Sequence, residues 1–555
     1  MELNIRISGS AGQGMATAQD ILGIVTTRSG LYAFSVNDVE SRIRGGKNFS
    51  QMKISHKPIE HVDSGIDILC ALSAETLSEY STSLLPGGKI ITSWEHSEAF
   101  DFNPSDICTK HGAPKAVGTA GVSFICGLLG FEKEILLQAV KENVPAKVMD
   151  SNLNIAEDSF NAAIETGIME YRLGKSITKN NLWISGNSML SLGCVAGGVS
   201  FMAAYPMSPA TSIMTNLSQW SDLTGVVVEQ SEDEISAVNM IAGAAYTGAR
   251  SMTATSGGGF ALMVEGVSLL GMIETPAVIV IAQRPGPATG LPTRTMQGDL
   301  RMAIHAGHGF FPKVVLAPDS VEDAFQIGRD AFDIAEKYQL PVIILTDQLL
   351  QDCYKTVDDF RPEMNNTRHI LSGVDLEKIK DYKRFALTES GISSMAVPGD
   401  SRHLVVVDSD EHDEYGHLTE KPETATEMVK KRERKLATIL DEAWEPQIDM
   451  LDENLPMIIS WGSTVPVVKQ AVEKLRDEGI KVNMMTLRWL WPLSEKMFKP
   501  LKSASKTIVV ENSVSGEIES VIKEIAKTGI DLSIRKVTGR PFLMDELYAE
   551  LKKGV

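Results

Sequence analysis

Cysteine is scarce in this chain: five occur among 555 residues, at Cys70, Cys108, Cys126, Cys194 and Cys353, and the nearest two, Cys108 and Cys126, stand 18 positions apart. That spacing excludes a C-x-x-C metal clamp, a disulfide framework and a ferredoxin-type cluster set, so no metal ligands are expected in the chain itself. Positive charge is also short. With 53 Lys and Arg against 72 Asp and Glu the net charge is -19, a field that repels phosphate backbones and anionic lipid, so nucleic acid and membrane surfaces are excluded as partners. A small acidic substrate then requires a locally positive pocket. The sequence has no run of about 18 apolar residues, and Met1-Glu2-Leu3-Asn4-Ile5 lacks the basic and apolar regions of a secretory leader, so cytoplasmic, reducing surroundings are expected.

The composition, 43% hydrophobic and 23% charged, is that of a soluble globular protein, and the length exceeds one ordinary core, which predicts roughly three or four domains. Leu3 to Ser8 alternates like a strand and runs through Gly9-Ser10-Ala11-Gly12-Gln13-Gly14 into a helical pattern from Met15. Further strands are predicted at Ile66–Leu72 and Lys89–Thr92, with a helix over Glu132–Val144, and the polar Leu173–Asn181 reads as a linker. A second unit is expected to open with Leu182–Ser185 and to carry strands at Gly225–Glu229, Ser251–Thr255, Ala277–Ala282, Lys313–Ala317 and Pro341–Thr346. Strands alternating with helices at this spacing predict a mainly parallel sheet covered on both faces. From Asp358 to about His403 the periodicity fades into a long irregular connection; a last α/β unit follows, with strands at Met457–Ser460, Ile480–Asn483 and Thr507–Val510.

Six segments carry chemistry. Gly12-Gln13-Gly14 lies between a strand and a helix, where bare N–H groups and the helix dipole hold phosphate, although a tight turn needing positive φ explains the glycines equally well. The basic Arg42-Ile43-Arg44-Gly45-Gly46-Lys47 adds charge without bulk, and the two together suit a polyphosphate such as that of coenzyme A. Tyr205-Pro206-Met207-Ser208-Pro209 fixes a hydroxyl between two prolines. Val226–Val228 delivers Glu229, Glu232, Asp233 and Glu234 at a strand end: these are helix-capping acids, or the carboxylate that thiamine chemistry needs on its aminopyrimidine. Finally Thr255-Ser256-Gly257-Gly258-Gly259 allows close backbone approach, and the loop Gln283–Arg294 bears two guanidinium groups able to take a carboxylate bidentately.

Taken in order, Tyr-Pro-Met-Ser-Pro, Gln-Ser-Glu-Asp-Glu, Thr-Ser-Gly-Gly-Gly and Gly-Pro-Ala-Thr-Gly-Leu-Pro-Thr-Arg resemble the 2-oxoacid:ferredoxin oxidoreductases, in the arrangement that fuses a gamma domain ahead of the alpha subunit. The resemblance implies a multidomain α/β fold: a gamma-like domain over 1–178 with the coenzyme A region, a thiamine-enzyme pyrimidine-binding-like domain with a parallel sheet over 180–435, and a transketolase C-terminal-like domain over 440–555. It implies thiamine diphosphate shared with a beta subunit, which would hold the magnesium and iron-sulfur cluster, coenzyme A as co-substrate and ferredoxin as acceptor. Carried over by position, Glu232 is the cofactor-activating glutamate, Ser208 stands where threonine is usual, and Arg294 binds the substrate carboxylate with Arg284 as its competitor. Gly12, Gln13, Gly14, Arg44, Gly45 and Gly46 form the coenzyme A region. The implied reaction is coenzyme A-dependent oxidative decarboxylation of a 2-oxoacid, 2-oxoglutarate or a broad range. The alternatives are a transketolase or pyruvate dehydrogenase-type component, against which the leading domain argues, and a non-catalytic nucleotide-binding or assembly protein.

Overall fold

The computed structural model describes residues 2–42, 45–174, 181–371 and 373–555. The expected linker therefore falls largely outside the described residues, as does Arg44. The chain divides into two compact units, the first built from Met1–Ser185, Asp352–Arg361 and Leu543–Ala549, the second from Gly186–Gln351, Pro362–Phe542 and Glu550–Val555.

The first unit is organised on a seven-stranded mixed sheet whose spatial order is Leu84–Thr92, Ile66–Ala71, Glu2–Ala11, Gly45–Ser55, Tyr32–Asp38, Tyr354–Val357 and Leu182–Ser185. Alternation along the first strand sends Leu3, Ile5 and Ile7 into a core shared with Ile21, Leu22 and Val25 of the helix Met15–Arg28 and with Phe124 of Val117–Leu129. The opposite face is polar and also buried. There Arg6 donates to Gln51 Oε1, Gln51 donates to the Asp63 carbonyl, and Lys53 pairs with Asp63 at 2.6 Å. Burial pushes the Arg6 guanidinium down to about 10. One element differs from expectation: Leu182–Ser185 closes this first sheet instead of opening the second, because Tyr354–Val357 pairs antiparallel with it and with Tyr32–Asp38.

In the second unit, strands Val314–Leu316, Pro341–Asp347, Ala277–Gln283, Ser251–Thr255, Phe201–Ala204 and Val227–Gln230 lie parallel, with Trp489–Trp491 added antiparallel at one edge. Ala277–Gln283 and Pro341–Asp347 are buried at every position, as unbroken apolar runs covered on both faces must be. A five-stranded sheet follows in the order Gln447–Asp449, Asn483–Leu487, Met457–Trp461, Thr507–Glu511 and Leu532–Arg535. The strand predicted at Ile480–Asn483 begins only at Asn483, since Gly479 with positive φ ends the preceding helix and Val482 leads in. One hydrophobic core runs from Ile279 and Ile343 to Trp461, Met485 and Phe498, which makes the two sheets of this unit a single packed body. The helix Pro422–Glu442 is pinned to it by charge: Glu274 takes Lys431 at 2.6 Å and also Lys435, all three side chains buried.

Candidate active site

Parallel α/β sheets place functional groups beyond the carboxyl ends of their strands, and four adjacent strands of the second unit do so here. Phe201–Ala204 runs into Tyr205-Pro206-Met207-Ser208, and the Ser208 carbonyl accepts a 2.6 Å hydrogen bond from Arg284 Nη1, which leaves the end of Ala277–Gln283. Arg284 is half-buried. Only one of its nitrogens is used by this bond, so the planar fork keeps donors for a ligand carboxylate.

Val227–Gln230 ends on the acidic run, and the helix register decides which acid does what. Asp233 is the N-cap of Glu234–Tyr246, its Oδ1 accepting from Ser236 N–H at 2.7 Å. Glu232 precedes the cap and is exposed, whereas Glu234 enters the first turn and is 3% exposed. Its Oε1 is buried with no hydrogen-bond partner, a costly state for a carboxyl unless a ligand completes it. The glycines of the next strand end make the room. A Cβ on Gly259 would overlap Glu234 Oε1 and Thr255 Oγ1, and a Cβ on Gly257 would lie 2.5 Å from Asp299 Oδ2.

The sequence-derived residues thus sort unevenly. Ser208 and Arg284 come together, and Glu234 follows Val227–Gln230, the strand next to the one that leads to Ser208 in the same sheet. Arg294 Nη1 donates to the Thr293 carbonyl at 3.1 Å, and its Cβ backs onto Gly539, whose carbonyl accepts from Thr295 N–H. Gln297, unnoticed in the sequence, clamps this loop to the C-terminal sheet by donating to the Trp461 carbonyl at 2.7 Å and accepting from Thr464 Oγ1 and Asn512 N–H. Asp299, also unnoticed, is pushed up to about 6 by burial and by the nearby Glu517 charge. The only sequence signal for either was their position in a loop that returns to the strand end it left.

In the first unit, Gly12 and Gly14 adopt φ of 92° and 78°, values that require glycine, and Gly14 is the N-cap of Met15–Arg28. The register Ala11↔Gly45 brings Gly45-Gly46 beside this loop. Gln13, Gly14 and Thr17 line a cavity of about 580 Å³ together with Lys115, Ala116 and Lys147. Gln13 itself is a brace, accepting from Ser10 N–H at 2.6 Å and donating to the Leu72 carbonyl at 2.9 Å. Sequence pattern missed the two lysines because they come from segments far along the chain from the glycines.

A parallel sheet with a buried carboxyl of unpartnered oxygen beyond one strand end, a guanidinium beyond another and a second, smaller α/β sheet packed on the same core defines the class of two-domain thiamine enzymes, here carrying an additional α/β unit. Comparison with known proteins narrows this. Residues 4–162 match the family described as pyruvate ferredoxin/flavodoxin oxidoreductase, 192–431 its thiamine diphosphate-binding domain, and 453–553 the transketolase C-terminal domain. The chain is 32% identical to the 2-oxoacid:ferredoxin oxidoreductase subunit alpha of Saccharolobus solfataricus, over all of this chain and 98% of that one. It is 31% identical to a 2-oxoglutarate synthase subunit of Methanocaldococcus jannaschii, over 66% of this chain and 97% of that one. A 2-oxoglutarate:ferredoxin oxidoreductase from Magnetococcus marinus, solved with 2-oxoglutarate, coenzyme A and succinyl-CoA bound, superposes with a TM-score of 0.90 at 29% identity, covering 100% of this chain and 99% of that one. The chain belongs to the alpha subunits of the 2-oxoacid:ferredoxin oxidoreductases. Among the described residues, no helix is long and apolar enough to cross a membrane.

Proposed function

We propose that this subunit works in the coenzyme A-dependent oxidative decarboxylation of a 2-oxoacid, 2-oxoglutarate or a broad range, in cytoplasmic surroundings, with ferredoxin as electron acceptor. A beta subunit carrying the magnesium diphosphate end of the cofactor and an iron-sulfur cluster completes the site. The observation that carries this reading is the pairing of a buried, partnerless Glu234 Oε1 with the Arg284 fork held by Ser208 on strand ends of one sheet. The orphan oxygen and the space cleared at Gly259 fit an aminopyrimidine whose ring nitrogen shares a proton with the carboxyl. When bound, thiamine diphosphate supplies the electron sink for loss of carbon dioxide from the 2-oxoacid.

The chain's own residues do the rest. Glu234, in place of the Glu232 expected from sequence, holds the activating proton at Oε1, since a carboxyl out of water exchanges that proton with a bound ring nitrogen and not with solvent. Arg284, in place of Arg294, takes the substrate carboxylate and the Ser208 carbonyl orients the guanidinium. The Gly12–Gly14 loop, Gly45-Gly46 and the lysines 115 and 147 hold the coenzyme A phosphates at the start of the helix Met15–Arg28, with Arg44 contributing charge from the adjoining sequence. The test is reconstitution with the partner subunit, followed by an assay for 2-oxoacid- and coenzyme A-dependent reduction of ferredoxin. No turnover with any 2-oxoacid would sink the reading.

A further inference from the structure

Asp299 closes the loop that Arg284 opens. Its backbone N–H donates to Gln283 Oε1 at 3.0 Å, which ties both ends of the loop to the end of the strand Ala277–Gln283. Its carboxyl leans over the first residue of the helix Gly257–Met272, in the space that a side chain at Gly257 would fill. Oδ2 is buried and without a partner. Arg284, anchored at Nη1 to the Ser208 carbonyl, lies close enough for its charge to act on Asp299, yet among the described residues the two form no ion pair. An ionised Asp299 therefore biases the Arg284 fork without occupying it.

The charged surroundings of Asp299 are few. Arg284 faces it from the strand end and Glu517 from the helix Glu517–Ala526, while Gln283 and the Gly257 backbone are uncharged. Arg301, on the helix that Asp299 precedes, turns to Glu517, with its N–H at 3.0 Å from Oε2 and its Nε at 3.6 Å from Oε1. Glu511, which adjoins Glu517, is itself held by Trp461 Nε1 and the N–H of Ile518. Burial first, and then Glu517, raise the Asp299 carboxyl to about 6, and Arg284 opposes them. A ligand carboxylate on Arg284 removes that opposition and adds a second negative charge, so both changes favour the protonated form.

We propose that Asp299 is the proton-coupled partner of Arg284: it takes up a proton when a carboxylate ligand pairs with the guanidinium, and so sets how tightly anionic substrates bind. The proposal rests on the reading of Arg284 as the carboxylate-binding group. The proton comes from the buffer, no covalent bond changes, and by linkage the ionised Asp299 weakens carboxylate binding by the same free energy with which binding draws the proton in.

The experiment is calorimetric titration of the assembled complex with 2-oxoglutarate and with 2-oxobutyrate, in buffers of different ionisation heat. Uptake of about 0.4 proton per ligand is expected near pH 6.5, vanishing by about pH 8.5. Asp299→Asn should abolish the uptake, tighten binding roughly fivefold at pH 8, where the wild-type carboxyl is charged, and leave affinity at about pH 5.5 unchanged. Three results would overturn the proposal: no uptake by the wild type between about pH 5.5 and 7.5, uptake that persists in Asp299→Asn and so belongs to Glu511 or Glu234, or no carboxylate binding at all. The wild-type measurement does not depend on how the variant folds. A preparation that shows the uptake yet turns over no 2-oxoacid would support Asp299 while refuting the oxidoreductase reading.

Discussion

Glu234 and Gly259 share one space: a Cβ added to Gly259 would overlap Glu234 Oε1, so the third glycine of the Gly257–Gly259 run exists where the buried carboxyl needs room. Gly259→Ala should therefore displace that carboxyl. Overpacking of this kind costs roughly 1–3 kcal/mol, and turnover of the reconstituted complex is expected to fall far more than its melting temperature does. Equal, small losses in both would place Gly259 in the core and not in the site.

Glu234→Gln should lower turnover about a hundredfold or more with the complex still assembled, as for loss of an acid-base group, and Glu232→Gln should leave it nearly unchanged. The comparison is sharp because the two residues differ in exposure and not in chemistry: Glu232 is exposed and Glu234 is 3% exposed. A severe defect in Glu232→Gln with an active Glu234→Gln would return the role to the residue the sequence favoured.

Arg284→Lys is expected to raise KM for the 2-oxoacid roughly tenfold to a hundredfold, the worth of a charge-assisted fork of about 1.5–3 kcal/mol, without a comparable change for coenzyme A. Arg294→Lys should leave both constants near wild type. Its backbone and Cβ belong to the seam with Gly539, and those survive the substitution. Steady-state kinetics of the two variants side by side decide between them.

Replacing Lys115 and Lys147 together by glutamate should raise KM for coenzyme A by about tenfold or more and flatten or reverse its salt dependence, while KM for the 2-oxoacid stays put. Both lysines line the cavity at the glycine loop. Unchanged coenzyme A kinetics would move its phosphates away from this cavity.

Glu274 offers a stability test apart from the site. Burial alone would raise its carboxyl, but the charges of Lys435 and Lys431 outweigh burial and hold it far below the ordinary carboxylate range. Because the folded-state value is depressed, the stabilisation is complete above the unfolded carboxylate range and is lost as pH falls through it toward the folded value. Glu274→Gln strands two buried ammonium groups and should cost about 3–5 kcal/mol at pH 7, with the difference from wild type shrinking below about pH 4 in urea titrations.

What the sequence determined by itself is what depends on neighbours along the chain. The strands Ala277–Gln283 and Pro341–Asp347 were legible because fully buried parallel strands read as nearly continuous apolar runs, and the ordered motifs point to the family without any tertiary contact. The four segments that build the site were legible too, because prolines, glycines and acids at strand ends have local causes. Tertiary structure alone decided which residue in each segment is buried, capped or free to meet a ligand. Among Glu232, Asp233 and Glu234, the capping bond from Ser236 to Asp233 fixes the register that buries Glu234. Between Arg284 and Arg294, the bond from Arg284 to the Ser208 carbonyl and the seating of the Arg294 Cβ on Gly539 join residues far apart along the chain. The strand Leu182–Ser185 joined the first sheet for the same reason. Its partner, Tyr354–Val357, lies far along the chain, and a hydrogen-bond ladder between distant segments leaves no trace in the periodicity of either one.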